Sequence, residues 1–177
     1  ILFILSMGIL FTISCNSPDT KNPLLEEYDT PFQTPPFNEI LPEHFLPAIT
    51  EAMAQHNAEI DAIVTNSEPP TFENTIAAYD RSGRLLSRVS SAFSTLNGAN
   101  TTQKLQDLDR EITPALTRHN NEIDLNPVLF ERIKVLYDQK DSLGLNPQQM
   151  RTLEKYYDDF VRSGANLSEK DKTVLMD

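Results

Sequence analysis

From Phe45 onward the apolar residues of this chain recur at intervals of three and four, and the repeats are separated by Pro, Asn and Gly. That period matches the 3.6-residue turn of an α-helix, and it recurs over stretches long enough to bury one face of each helix. No stretch shows the strict alternation of a half-buried strand. The predicted fold class is therefore all-α: an antiparallel helical layer or bundle.

The first stripe is Phe45, Ile49, Met53, His56, Ile60 and Ile63, and it predicts a helix ending near Asn66, before Pro69-Pro70. Thr71 is the expected cap of a second helix with Ile76, Tyr79, Gly83, Leu86, Val89, Phe93 and Leu96 on one face and Asn97-Gly98 as its stop. Gly83 in the middle of that stripe costs about 1 kcal/mol of helix propensity relative to Ala. Close approach of a neighbouring helix is the expected compensation. Leu105, Leu108, Ile112, Ala115, His119 and Ile123 form a third stripe, in which Pro114 predicts a kink or break near Thr113. Asn126-Pro127 opens a fourth helix carrying Phe130, Ile133 and Tyr137, followed by Gly144. Asn146-Pro147-Gln148-Gln149 opens a fifth: Asn caps, Pro fits the first turn, and Gln149 reaches back to the cap amide. Met150, Leu153, Tyr157, Phe160 and Val161 follow, and Gly164 is expected to close the helix. Ser168-Glu169-Lys170-Asp171 reads as one more start.

The preceding segment, residues 16–42, has prolines at 18, 23, 31, 35, 36 and 42 and is expected to be extended or looped. Its aromatics Tyr28, Phe32 and Phe37 suggest that it packs on the helices. Before it, residues 1–14 are almost wholly apolar and uncharged. A spanning helix needs roughly 20 residues, so this run fits the apolar part of a secretory signal peptide, residues 1–15. Cys15, the single cysteine, cannot make an intrachain disulfide. It resembles the lipid-attachment cysteine of bacterial lipoproteins, although Thr12 stands where that pattern prefers Leu. The expectation is an exported protein, periplasmic or anchored to the envelope by lipid on Cys15. Residues 43–177 would be the helical amino-terminal part of a larger, truncated domain.

The formal net charge is −11, and none of it lies in residues 1–18. A helical part this acidic argues against nucleic-acid binding, which needs clustered Lys and Arg. Catalytic and metal-ligating constellations are not found either. Zinc sites on helices use two His at i and i+4 plus a third group. His44 and His56 are twelve residues apart, about 18 Å along a helix, and His119 lies on a different stripe. For His56 and His119 a core or interhelix role is preferred. There is no Gly-x-Ser-x-Gly elbow and no Gly-rich phosphate loop. Asp158-Asp159 point about 100° apart on a helix and read as a solvated face. Of Tyr156-Tyr157, one ring is expected in the core and the other at the surface.

Three stretches carry a more specific signal: Asn22-Pro23-Leu24-Leu25 through Thr30-Pro31-Phe32-Gln33-Thr34-Pro35-Pro36-Phe37; Glu43-His44-Phe45-Leu46-Pro47-Ala48; and Pro70-Thr71-Phe72-Glu73-Asn74-Thr75-Ile76. In this order and spacing they resemble the amino-terminal region of the thimet-oligopeptidase-like zinc metallopeptidases, the family of bacterial peptidyl-dipeptidases and oligopeptidase A. The resemblance covers residues 22 to 177 but only the front quarter or so of a member. It implies a large helical protein acting on short peptides, with zinc held by His-Glu-x-x-His and a later Glu. None of these motif residues falls within this chain, so no catalytic or metal residue is assigned here. The chain is expected to pack on a catalytic half that holds the metal. Dipeptide release from the carboxyl end is the expected activity, with internal cleavage as the sibling reading. A non-enzymatic helical lipoprotein that binds a partner is the alternative from another class.

Overall fold

The computed structural model describes residues 21–168 and 170–172. The predicted leader, Cys15 and the last predicted turn beyond residue 172 lie outside them. The described residues form six α-helices and contain no strand: α1 (Phe45–Val64), α2 (Ala78–Arg81), α3 (Arg84–Ala99), α4 (Gln103–Asp124), α5 (Pro127–Asp138) and α6 (Pro147–Arg162). The all-α expectation is met. A π-helical turn, Phe72–Ala77, leads into α2, and 3-10 turns occupy Pro31–Gln33, Pro42–His44 and Lys140–Ser142.

Helix ends follow local chemistry closely. Asn146 and Gln149 exchange hydrogen bonds, Asn146 N–H to Gln149 Oε1 at 3.0 Å and Gln149 N–H to Asn146 Oδ1 at 2.9 Å. Asn126 Oδ1 accepts from the amides of Val128 and Leu129, so the first turn of α5 is satisfied too. At the end of α6, Gly164 has φ 93°, and the amides of Gly164 and Ala165 bond back to Val161 and Phe160. That is the Schellman arrangement, which a residue with a Cβ adopts only with strain.

Two expectations about helix continuity are corrected. The helix predicted from Thr71 to Asn97 is divided. Ser82 is extended (ψ 159°), and Gly83 takes a left-handed conformation (φ 67°) that ends α2 and opens α3. Conversely, of the kink or break expected near Thr113, the break does not occur: α4 continues through Pro114. Pro114 and Arg110 are both exposed, so the hydrogen bond that proline removes lies on the exposed side of the helix.

The proline-rich segment is also only partly as expected. Tyr28 is buried beneath the Arg88 guanidinium, whose carbon lies 4.8 Å from the ring centroid. Phe32, however, is 99% exposed, and Phe37 is exposed as well. Phe32 and Gln33 both have positive φ (60° and 53°), which turns the chain tightly and throws the Phe32 ring outward. The segment is held instead by Leu24 and Ile40, which join the core.

The helices pack around α1, which meets α3, α4, α5 and α2, while α5 and α6 pack as a hairpin. Their buried side chains fall into two cores. One contains Phe45, Ala48, Ile49 and Ala52 of α1 with Leu86, Val89 and Phe93 of α3 and Leu105 and Ile112 of α4. The other contains Ile60 and Ile63 of α1 with Ile76, Ile123, Leu129, Ile133, Leu153 and Phe160. The same helix, α1, thus serves one core with its first half and the other with its second.

Candidate functional site

The polar residues that interrupt the stripes meet between the two cores. His56 lies between Ala52 and Ile60 on α1, and His119 between Ile112 and Ile123 on α4. Ser82 and Gly83 lie between Ile76 and Leu86. His56 Nδ1 and His119 Nε2 are 3.0 Å apart. His56 Nε2 is 3.3 Å from Ser82 Oγ, which itself donates to the Tyr79 carbonyl at 2.7 Å. The Gly83 amide donates to Glu59 Oε2 at 2.7 Å.

These contacts fix the direction of the protons. The single hydroxyl proton of Ser82 goes to the Tyr79 carbonyl, the shorter bond. Ser82 Oγ must then accept from His56 Nε2–H, which leaves His56 Nδ1 as an acceptor. His119 therefore donates from Nε2–H. A serine wired this way is not an activated nucleophile, because its hydroxyl proton is directed away from the imidazole. Burial holds His56 below the usual histidine range, with neighbouring His119 adding to the effect and Glu59 opposing it. Burial likewise lowers His119, against the pull of Glu122. The arrangement is a neutral interhelix latch.

The close approach expected at Gly83 is present, but a side chain makes it. A Cβ on Gly83 would stand 2.9–3.1 Å from three atoms of the His56 ring.

The motif Pro70-Thr71-Phe72-Glu73-Asn74-Thr75 has a clear structural role. Asn74 N–H bonds to Thr71 Oγ1 at 3.1 Å, and Thr71 N–H to Asn74 Oδ1 at 2.8 Å, a reciprocal cap. Arg132 of α5, 8% exposed, donates to Asn74 Oδ1 at 3.2 Å and to the carbonyls of Asn66 and Glu68 at 2.9 and 3.3 Å. Sequence reasoning missed Arg132. The available signal was its spacing, three after Leu129 and four before Leu136, which puts it on the buried face.

The other candidates do not converge with these. His44 Nδ1 accepts from the Leu41 amide at 3.1 Å and caps the turn before α1. Asp158 is exposed, while Asp159 pairs with Lys155 at 2.7 Å, so the two do not act together. Contrary to the expectation of one surface ring, Tyr156 and Tyr157 are both half-buried and both packed. Tyr157 stacks on Tyr137 with centroids 3.8 Å apart. Tyr156 meets Tyr79 edge-on at 5.0 Å, and its hydroxyl donates to Asp80. Tyr79 is pushed up to about 12 by burial, with Asp124 and Asp159 adding to it, so it stays un-ionised. Among the described residues, no group of three or more His, Cys, Asp or Glu could hold a metal ion, and no helix is long and apolar enough to cross a membrane.

No family model matches the chain. Individual proteins do. The chain is 40% identical over 156 residues to a dipeptidyl carboxypeptidase of Salmonella typhimurium and, to the same extent, to one of Escherichia coli. The alignment covers 88% of this chain and 23% of each relative. Oligopeptidase A of Escherichia coli is 30% identical over 149 residues, 84% of this chain and 21% of the relative. The chain spans about a quarter of the length of the curated relatives it matches, and it fits the family of dipeptidyl carboxypeptidase and oligopeptidase A.

Proposed function

We propose that this chain is part of an exported zinc metallopeptidase that hydrolyses short peptides by releasing dipeptides from their carboxyl ends. The observation that carries this reading is the higher identity, 40% against 30%, to relatives named dipeptidyl carboxypeptidase than to oligopeptidase A. The described residues do not themselves offer a zinc site. In this reading the zinc and the catalytic residues belong to parts of the protein outside this chain, and these helices serve by packing against that catalytic half. The uncharged apolar run before Cys15 supports export, with Cys15 as the lipid-attachment residue.

The test is product analysis by mass spectrometry of an amino-blocked peptide incubated with the full-length protein. Successive loss of carboxyl-terminal dipeptides supports the proposal. Internal cuts alone favour the oligopeptidase reading, to which the 30% relative lends weight. An intact peptide removes both. Incorporation of labelled fatty acid that disappears in Cys15→Ser tests the anchor.

A further inference from the structure

We propose that the seam formed by His56, His119, Ser82 and Gly83 is an acid-operated hinge between the two cores of this chain. Three elements cross from one core to the other, and each does so at a polar or helix-breaking residue: α1 at His56, α4 at His119, and the α2–α3 connection at Ser82-Gly83. Packed apolar side chains tie each core internally. The level between them is joined by the His56–His119 contact at 3.0 Å, the His56–Ser82 contact at 3.3 Å and the Glu59–Gly83 bond at 2.7 Å. The α2–α3 connection also has a ready pivot, since Ser82 is extended and Gly83 left-handed.

The wiring of the latch makes it sensitive to protons. His56 Nδ1 is the acceptor for His119 Nε2–H. A first proton can enter on the other nitrogen of His119 and leave that bond in place. A proton on His56 Nδ1 puts two N–H groups face to face, and the contact cannot persist at 3.0 Å. Two cationic rings at that distance also repel. The charged groups acting on the pair are few: Glu59 on α1 and Glu122 on α4. Glu59 is already engaged by the Gly83 amide. Where α3 and α4 approach His56, they present Leu86, Ser87, Ser90, Leu116 and Asn120, all uncharged, around a cavity of about 330 Å³. A protonated His56 therefore has space to turn aside, with no carboxylate among these residues to hold it.

Burial lowers both rings below the ordinary histidine value near 6.5, so the closed latch binds protons less readily than an opened one. The latch is accordingly closed at neutral pH, and it opens as pH falls below about 6.5 toward the titration of the closed form. The opening constant should grow by about tenfold to a hundredfold per pH unit in that window, for one or two protons taken up.

Amide hydrogen exchange of the full chain, corrected for the intrinsic effect of pH, tests this between pH 7.5 and 5. Residues 79–90 should lose protection by that factor while 45–52 and 129–136 keep theirs. The variant H56Q can still accept from His119 and donate to Ser82, but it cannot take the proton that breaks the latch, and it should lose most of the pH dependence. An unchanged profile in the wild type overturns the hinge. So does equal loss of protection in both cores, which is ordinary acid unfolding, and so does an H56Q profile that matches the wild type. If H56Q does not fold, the wild-type comparison of the three segments decides alone.

Discussion

Arg132 Nη2 reaches from α5 to Asn74 Oδ1 at 3.2 Å, joining the cap of one helical segment to the buried face of another 58 residues away. The same guanidinium holds the Asn66 and Glu68 carbonyls, so the loop before Pro69-Pro70 is fastened at two points and the cap after it at a third. Arg132→Ala should destabilise the fold by about 1–3 kcal/mol, since it removes charge-assisted bonds to partly buried acceptors and the packing of a buried side chain. Arg132→Lys should recover little, because an ammonium cannot present a planar fork to three oxygens. Urea unfolding of the two variants checks both statements.

Gly83 and Gly98 should respond to alanine in opposite ways. At Gly83 a methyl group meets the His56 ring and must sit at φ 67°, and a loss of about 2 kcal/mol or more is expected. At Gly98, inside α3, no atom lies within 4 Å of the new Cβ, so the change should be neutral or stabilising by up to about 1 kcal/mol. Thermal melts of G83A and G98A separate these outcomes.

Phe32 touches little and occupies a left-handed conformation. Phe32→Gly removes that conformational penalty and should be neutral or stabilising by about 1 kcal/mol. A clear loss of stability on denaturant titration would show that the ring is engaged.

Asp124 on α4 is held above the usual carboxylate range, chiefly by burial and also by Asp159, while a hydrogen bond with Ser163 opposes the shift. The folded state therefore binds this proton more tightly than the unfolded chain. The associated stability is complete at low pH and is lost as pH rises through the folded-state titration. Asp124→Asn, which can still accept from Ser163, should stabilise the protein at pH 7 and do so less and less toward pH 3. Melting temperatures across that range check the sign.

Much of the fold could be read in the sequence because its signals are local. The Asn146–Gln149 cap and the Gly164 stop depend on residues within one turn, and both are present. The apolar stripes gave the positions and faces of the helices. The break at Gly83 could not be read, because a glycine inside an apolar stripe fits a continuous helix too, and the His56 ring that lies against it is 27 residues earlier. The latch had the same difficulty. Each histidine is visible on its own apolar stripe, but their pairing spans 63 residues and follows from how α4 crosses α1. At Pro114 the local rule allowed a break that does not occur, since the proline sits on the exposed side of a helix whose other face is held in the cores. The outward Phe32 shows the converse error, in which an aromatic in a proline-rich stretch suggested packing that its turn geometry denies.

Metal dependence of peptide cleavage by the full-length protein tests the functional account most directly. The account predicts that an amino-blocked peptide is shortened, that a zinc chelator stops the reaction, and that added Zn²⁺ restores it. Cleavage that continues undiminished after exhaustive chelation, or no cleavage with zinc supplied, would contradict it.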